Sequence, residues 1–205
     1  MGRVRGKSWM QEHVADAYVK RARTEGRRSR AAYKLEEIAA RDRLIAPGMI
    51  VVDLGAAPGG WSQVAAERVG SRGRVVAFDV LDMPRLAGVT FIRGDFHDAA
   101  AVAELERVLE GRKVDLVLSD MAPNISGVPS SDQARALGLA ELALDFALKH
   151  LKPQGKLLVK LFQGAGFESF LRTLRSRFAV VAVRKPEASR SRSSEVYLVG
   201  KGLKT

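Results

Sequence analysis

Residues 50–62 read Ile-Val-Val-Asp-Leu-Gly-Ala-Ala-Pro-Gly-Gly-Trp-Ser. An apolar, β-branched run, Ile50–Leu54, leads through Gly55, Gly59 and Gly60 into a segment with helical periodicity. Glycines at a turn from strand to helix allow the backbone to pass close to a ligand. The stretch therefore predicts the first strand and the following helix of a ligand-binding α/β domain.

The rest of the chain repeats this alternation of short apolar runs and longer helical segments. Strands are predicted at Ile50–Leu54, Arg74–Asp79, Val89–Ile92, Val114–Ser119, Lys156–Lys160, Val180–Arg184 and Glu195–Val199. Helices are predicted at 29–41, 60–69, 99–110, 132–151 and 166–177. Ser29 and Asp132 are candidate N-caps, and Pro153 with Gly155 would end the long helix. This pattern predicts a Rossmann-like α/β fold, a doubly wound parallel sheet with helices on both faces.

Composition indicates one domain of 205 residues with a basic N-terminal extension. Residues 1–30 carry nine Lys and Arg but three acidic residues, a net charge of +6 within a total of +11. We expect residues 1–28 to be an extension that adds little to the core, and residues 29–205 to form the domain. This charge predicts a polyanionic partner. The arginines expected to contact the phosphates of such a partner are Arg21, Arg23, Arg27, Arg28, Arg30, Arg184, Arg190 and Arg192.

Several other classes of protein are disfavoured. The absence of cysteine excludes a disulfide framework, and the three histidines lie far apart without ligand spacing, so no metal is expected. No apolar run approaches the roughly 20 residues that span a bilayer. The N-terminus lacks the apolar stretch of a secretory signal. We expect a cytoplasmic, monomeric protein without a membrane partner.

The glycine-containing loop differs from a dinucleotide-binding fingerprint. Ala57 replaces the middle glycine of G-x-G-x-x-G, and Pro58 removes one amide donor from a phosphate cradle. Asp53 precedes the first glycine and would repel pyrophosphate but attract a cation. These features disfavour an NAD-dependent oxidoreductase. They favour a cationic ligand without phosphate, such as S-adenosyl-L-methionine.

The next two strand ends offer partners for a nucleoside. Asp79 ends the second strand, where an acidic residue commonly accepts hydrogen bonds from ribose hydroxyls. Asp95 follows the third strand and could accept a bond from an adenine amino group, with Phe96 near the ring. Three acidic residues at three strand ends predict a site for a nucleoside that carries a sulfonium group.

Two later strands end in charged residues after apolar interiors. Asp120 follows the fourth strand, and Lys160 ends the fifth. A lysine in such a place is costly unless it is paired or functional, which leaves an Asp120–Lys160 salt bridge and a catalytic pair as alternatives. If the last strand runs antiparallel, Glu195 at its start lies at the same edge. Lys34 could extend over the same crevice, although its pattern alone favours a solvated lysine.

Five motifs occur in order along nearly the whole chain. They are Ser29–Leu35 (SRAAYKL), Asp53–Gln63 (DLGAAPGGWSQ), Ser119–Asn124 (SDMAPN), Val159–Gly164 (VKLFQG) and Arg192–Tyr197 (RSSEVY). Together they resemble the FtsJ/RlmE family of ribosomal RNA 2′-O-methyltransferases. The resemblance implies a seven-stranded methyltransferase sheet whose last strand is antiparallel. It implies a catalytic tetrad at Lys34, Asp120, Lys160 and Glu195, and cofactor contacts at Gly59, Trp61, Asp79, Asp95 and Asp120.

The function implied by this resemblance is methyl transfer from S-adenosyl-L-methionine to a ribose 2′-hydroxyl. The implied substrate is a uridine in 23S ribosomal RNA of the large (50S) subunit. A transfer RNA ribose 2′-O-methyltransferase would share the chemistry and the charge, so it remains an alternative. A non-catalytic RNA-binding factor for ribosome assembly is a further alternative, which the presence of all four tetrad residues disfavours.

In this reaction the 2′-oxygen attacks the methyl carbon and a neutral thioether leaves. Positioning of the reacting atoms should supply much of the rate. Lys160 is the candidate general base. An ordinary lysine is protonated at neutral pH, so nearby positive charge must lower its proton affinity. Alternatively, Lys160 stays charged and only orients the hydroxyl.

Overall fold

A seven-stranded sheet forms the centre of the computed structural model, which describes residues 17–190 and 193–204. Its strands are β1 (Ile50–Leu54), β2 (Arg74–Asp79), β3 (Val89–Arg93), β4 (Val114–Ser119), β5 (Leu151–Phe162), β6 (Phe178–Arg184) and β7 (Glu195–Leu203). The helices described are α1 (Ala17–Thr24), α2 (Ala31–Asp42), α3 (Gly60–Val69), α4 (Ala99–Leu109), α5 (Pro129–His150) and α6 (Phe167–Arg177). Within these ranges, no helix is both long and apolar enough to cross a membrane.

The order and direction of the strands determine which strand ends meet at one edge of the sheet. The order is β3-β2-β1-β4-β5-β7-β6, with β1 to β5 parallel and β7 antiparallel to both of its neighbours. In this register Glu195, the first residue of β7, lies opposite Phe162, the last residue of β5. The predicted Rossmann-like fold, with its last strand antiparallel, is confirmed. Because β7 is reversed, its beginning lies at the edge where β1, β4 and β5 end.

The hydrophobic core has one layer on each face of the sheet. Successive residues of a strand point to opposite faces, so Val51 and Val52 belong to different clusters. Val51 packs with Leu35 of α2 and Trp61 of α3. Val52 packs in the cluster that contains Phe146 of α5 and residues of α4 and α6. The apolar runs of the central strands are thus explained by burial on both faces.

The predicted beginning and end of the long helix are wrong. Helix α5 begins at Pro129, because proline at the first helical position needs no amide donor. Asp132 therefore lies in the first turn and is not the N-cap. At the other end β5 follows directly after α5, so Pro153 and Gly155 lie within the strand.

Ser29 is also not an N-cap. Arg30 precedes the first residue of α2, and no side chain caps that helix. The Ser29 hydroxyl is buried without a hydrogen-bond partner among the described residues. A Cβ at Gly60 would overlap this hydroxyl, so Ser29 packs against the loop that follows β1.

The described part of the N-terminal segment contacts the rest of the protein. Ala22 of α1 forms a small apolar cluster with Tyr33 and Ala188. The guanidinium of Arg27 lies 2.6 Å from the carboxylate of Glu67 and also pairs with that of Glu36. The high charge of the segment predicted an external partner, but several of its cations pair with groups of the protein itself.

Candidate active site

Four charged side chains from four separate elements meet at the carboxyl edge of the sheet. Lys34 comes from α2, Asp120 directly follows β4, Lys160 lies near the end of β5 and Glu195 begins β7. Ligand crevices of open α/β sheets lie at this edge. The structure thus brings together the four residues that the motifs indicate as a tetrad.

The four side chains form two ion pairs. Lys34 Nζ lies 2.6 Å from Glu195 Oε1, and Lys160 Nζ lies 3.1 Å from Asp120 Oδ1. Lys160 also donates a 2.6 Å hydrogen bond to the main-chain oxygen of Asp120. The four side chains are between 8 and 19% exposed, so water screens their charges weakly. The Asp120–Lys160 salt bridge is therefore present.

Tyr197 connects the two ion pairs. Its buried hydroxyl accepts a 3.2 Å hydrogen bond from Lys34 Nζ and donates a 3.0 Å hydrogen bond to Asp120 Oδ1. It stands two residues after Glu195 on β7, so both side chains lie on one face of the strand. Sequence reasoning missed this role, because Tyr197 lies in an apolar run that core packing explains. A tyrosine two residues after the strand's acidic residue is the signal that could have indicated it.

Burial and charge together set the protonation states in this network. Burial acts to raise the pKa of Glu195, but the Lys34 ammonium and the charge of Lys160 outweigh it and lower that pKa. Burial, together with the charges of Asp120 and Glu195, raises the pKa of Tyr197 well above its ordinary value. At neutral pH Glu195 is therefore ionised and Tyr197 is a neutral hydroxyl, able to accept and donate at once.

The loop after β1 approaches other parts of the protein closely. Gly55 has φ +76°, and a Cβ there would lie 2.7 Å from the main-chain nitrogen of Met121. Gly59 has φ +102°, a region that L side chains rarely adopt. The glycines are therefore required by backbone conformation and by protein packing. The sequence pattern alone indicated only a close approach to a ligand.

Asp53 is a buried carboxylate with unused acceptor capacity. Ser62 Oγ donates a 2.6 Å hydrogen bond to Asp53 Oδ2, whereas Oδ1 has no partner among the described residues. Burial, with the charges of Asp120 and Asp79, raises the pKa of Asp53 to about 7. A ligand with positive charge would complement these three carboxylates. The described residues contain no group of three side chains suited to a metal ion.

The two acidic residues predicted to hold a nucleoside differ in their surroundings. Asp79 is buried, and its two oxygens accept 2.8 Å hydrogen bonds from the main-chain N–H groups of Ala57 and Leu81. Each oxygen keeps a lone pair that a ribose hydroxyl could use. The side chain of Asp95 is 61% exposed and accepts a 2.9 Å bond from the main-chain N–H of His97. Asp79 is thus held rigidly, whereas the side chain of Asp95 is exposed to solvent.

Two aromatic residues predicted to contact a cofactor lie in the core. Trp61 is 2% exposed, and its Nε1 donates a 2.8 Å hydrogen bond to the carbonyl oxygen of Ala31. Phe96 packs edge-on against Phe78, with ring centroids 5.5 Å apart. Both rings fill core volume, so a ligand could meet the main chain of Trp61 and only an edge of Phe96.

Comparison with known proteins agrees with this geometry. A family model described as FtsJ-like methyltransferase matches residues 27–203, a range that includes all four tetrad residues and the glycine loop. The chain belongs to the FtsJ-like methyltransferase family.

Relatives of this FtsJ-like methyltransferase cover almost its whole length. Ribosomal RNA large subunit methyltransferase E of Azoarcus sp. (strain BH72) is 61% identical over 198 residues, which is 97% of each chain. The protein of that name from Xanthomonas oryzae pv. oryzae (strain PXO99A) is 60% identical, covering 95% of this chain and 92% of the relative. A crystal structure from Plasmodium falciparum, described as a ribosomal RNA methyltransferase, is 28% identical with a TM-score of 0.76, covering 86% of this chain and 98% of that one.

The arginines predicted to contact RNA differ in their surroundings. Acceptors of the protein itself hold Arg27, Arg28, Arg30 and Arg184. Arg184, for example, forms 2.7 and 2.8 Å hydrogen bonds with the carboxylate of Asp42. Arg21 also pairs with Glu25, at 2.8 Å, but its side chain remains 55% exposed. Arg23 is exposed on α1, Arg190 is partly buried, and Arg192 lies outside the described residues.

Proposed function

We propose that this chain transfers the methyl group of S-adenosyl-L-methionine to a ribose 2′-hydroxyl, at a uridine in 23S ribosomal RNA of the large subunit. The observation that carries the proposal is the position of Lys160, which lies at the carboxyl edge beside Asp120 and within the group of four charged side chains. Relatives named for the large ribosomal subunit, at 60% identity or more, support the substrate. The net charge of +11 fits a polyanion.

The residues present fit S-adenosyl-L-methionine, a cation without phosphate. Asp79 would accept hydrogen bonds from the ribose hydroxyls, and Asp95 would accept one from the adenine amino group. The unused oxygen of Asp53 and the carboxylate of Asp120 would complement positive charge. When bound, the cofactor supplies an electrophilic methyl group. A crystal structure of a Streptococcus mutans protein with the same fold is described as a complex with SAH.

The protein would contribute chiefly alignment and removal of one proton. Asp120 holds Lys160 through one hydrogen bond and one ion pair, so the side chain of Lys160 cannot turn freely. As a neutral amine, Lys160 would receive the proton of the 2′-hydroxyl while the oxygen forms its bond to the methyl carbon and a neutral thioether leaves. Glu195 and Tyr197 fix Lys34, and Tyr197 links it to Asp120, so the four charged side chains keep one arrangement. Such proton transfer typically contributes about 10²–10⁴-fold to a rate.

Labelled cofactor distinguishes the candidate substrates. We would offer radiolabelled S-adenosyl-L-methionine with large ribosomal subunits, with protein-free 23S ribosomal RNA and with transfer RNA. Label in 23S ribosomal RNA is the expected result. Label in transfer RNA alone would establish the alternative substrate, and cofactor binding without label in any RNA would indicate a non-catalytic RNA-binding factor.

Removal of the Tyr197 hydroxyl should slow catalysis without unfolding the protein. In Tyr197→Phe, Lys34 and Asp120 lose the partner that connects them. A hydrogen bond to a charged group is worth about 1.5–3 kcal/mol, so we expect the single-turnover rate to fall about tenfold or more. Cofactor affinity should change little. Tyr33→Phe, which removes a hydroxyl bonded to Glu25, is the matched control; equal rates for the two variants would exclude a role of Tyr197 in alignment.

The basic N-terminal segment should contain separable RNA-binding and structural arginines. Arg21→Ala with Arg23→Ala should weaken binding to ribosomal RNA and flatten the plot of log affinity against log salt by about 1.5, since each phosphate contact contributes about 0.7–0.9. Arg27→Ala with Arg28→Ala should instead lower the Tm by about 3 °C or more, because intramolecular bonds are lost. Filter binding at several salt concentrations and thermal denaturation measure both. An unchanged salt slope in the first pair would place the RNA-binding surface elsewhere.

A further inference from the structure

Several large hydrophobic side chains are exposed to solvent, and two of them lie in the segment that follows Asp120. The exposed ones among the described residues are Val80, Leu81, Ile125, Val128, Val180 and Val183. The first two follow Asp79 directly, beside the proposed nucleoside, and the last two lie on β6 at the end of the sheet. This leaves Ile125 and Val128, which are 84% and 55% exposed, in the segment 121–128 between Asp120 and α5.

The segment 121–128 is held in place from its C-terminal side. The Asp132 carboxylate accepts hydrogen bonds from the main-chain N–H of Ser126 at 2.8 Å, from its hydroxyl at 2.7 Å and from the N–H of Gly127 at 3.1 Å. Arg135 lies 2.6 Å from the same carboxylate. These bonds, with that of Ser126 N–H first, lower the pKa of Asp132 to about 2. Ile125 therefore directly precedes a turn that Asp132 fixes in its ionised form.

The place of Ile125 limits what can cover it. It stands five residues after Asp120, which allows a separation of at most about 18 Å along an extended chain. An RNA that presents a ribose to Lys160 must therefore pass within a few nucleotides of it. Nucleobases have broad apolar faces, and isoleucine is among the side chains that proteins insert between bases to unstack them. Sequence-specific RNA recognition mostly targets such unstacked bases.

We propose that Ile125 packs against the face of the nucleobase beside the target nucleotide and holds the target out of its stack. The inference rests on the proposed function, since it assigns the means by which that site receives its ribose. Asp132 is the positioning residue for Ile125. Val128, on the same segment, extends the apolar surface.

The kinetic test uses two variants on different residues. Ile125→Ala removes three of the four side-chain carbons. Because one face of the side chain would lie on the base, we expect kcat/KM for RNA to fall about tenfold. Asp132→Ala leaves Ile125 in place but frees the turn, and should lower kcat/KM in the same direction. The Kd for S-adenosyl-L-methionine should be unchanged in both. Val180→Ala, an exposed valine on β6, is the matched control and should behave as wild type.

A crosslink identifies what Ile125 touches. Ile125 is replaced by the photoreactive residue p-benzoylphenylalanine, the protein is irradiated with large ribosomal subunits, and the crosslinked partner is mapped. A crosslink to a nucleotide next to the methylated one, absent when position 180 carries the probe, is the expected result. If the wild-type protein transfers methyl to RNA, two results would overturn the inference about Ile125 alone. One is a crosslink to a ribosomal protein, and the other is a wild-type kcat/KM in Ile125→Ala. If the wild-type protein transfers no methyl group to RNA, the proposed function is overturned, and this inference is overturned with it.

Discussion

Lys160→Ala is expected to lose about 10²–10⁴-fold in methyl transfer while its Kd for S-adenosyl-L-methionine stays within about twofold of wild type. Among the described residues, Lys160 Nζ is bonded to Asp120 and not to Asp53 or Asp79, so Asp120 is the proposed cofactor residue whose contacts change in the variant. Single-turnover transfer of radiolabelled methyl, with calorimetry of cofactor binding, measures both quantities. A variant that kept more than about a tenth of the wild-type rate would rule out Lys160 as the general base.

Two further variants separate the possible roles of Lys160. Lys160→Arg keeps the charge and the donors but is a far weaker proton acceptor at ordinary pH. It should be as inactive as Lys160→Ala if the lysine takes the proton, and should retain activity if the lysine only orients the hydroxyl. Lys152→Ala removes a lysine from the opposite end of β5, where it pairs with Asp115, and should leave methyl transfer unchanged.

Asp79→Ala should weaken S-adenosyl-L-methionine binding by about 2–3 kcal/mol, a rise of roughly 30- to 150-fold in Kd. The variant loses a carboxylate proposed to accept hydrogen bonds from two ribose hydroxyls. It also frees the main-chain N–H groups of Ala57 and Leu81, which Asp79 holds in place. Affinity for RNA should hardly change. Calorimetry should show these effects, and an unchanged Kd would exclude Asp79 as the ribose acceptor.

Asp82→Ala is the matched control for Asp79→Ala. Asp82 lies on the same loop, is exposed, and among the described residues bonds only to the main-chain N–H of the next residue. Its removal should leave the cofactor Kd near the wild-type value. A similar loss in both variants would assign the effect to the negative charge of the loop and not to a specific contact.

The sheet could be predicted because its strands are buried on both faces and therefore appear as continuous apolar runs. Burial of β1, β2 and β4 leaves few other interpretations of such runs. The charged residues at the ends of these strands also indicated the edge of the sheet at which the site lies. The pairing of Lys34 could not be predicted, because it depends on how α2 packs across the sheet and not on local spacing.

Other parts of the site depend on contacts that no local pattern contains. Tyr197 joins the two ion pairs through a hydroxyl whose partners are 163 and 77 positions away in the chain. Trp61 could be placed near the glycine loop, but its orientation follows from a bond to the carbonyl of Ala31 in α2. The charge of Arg27 and Arg28 suggested RNA, and only the fold shows that acceptors of the protein surround them.

The chemical position of the transferred methyl group tests the central claim most directly. Methylation of the 2′-oxygen removes the nucleophile that alkali uses to cleave the next phosphodiester bond, whereas methylation of a base does not. After reaction with radiolabelled S-adenosyl-L-methionine, the RNA is hydrolysed in alkali and the labelled products are separated. The proposed function predicts label in an alkali-resistant dinucleotide that contains 2′-O-methyluridine. Label released as a mononucleotide with a methylated base would contradict it.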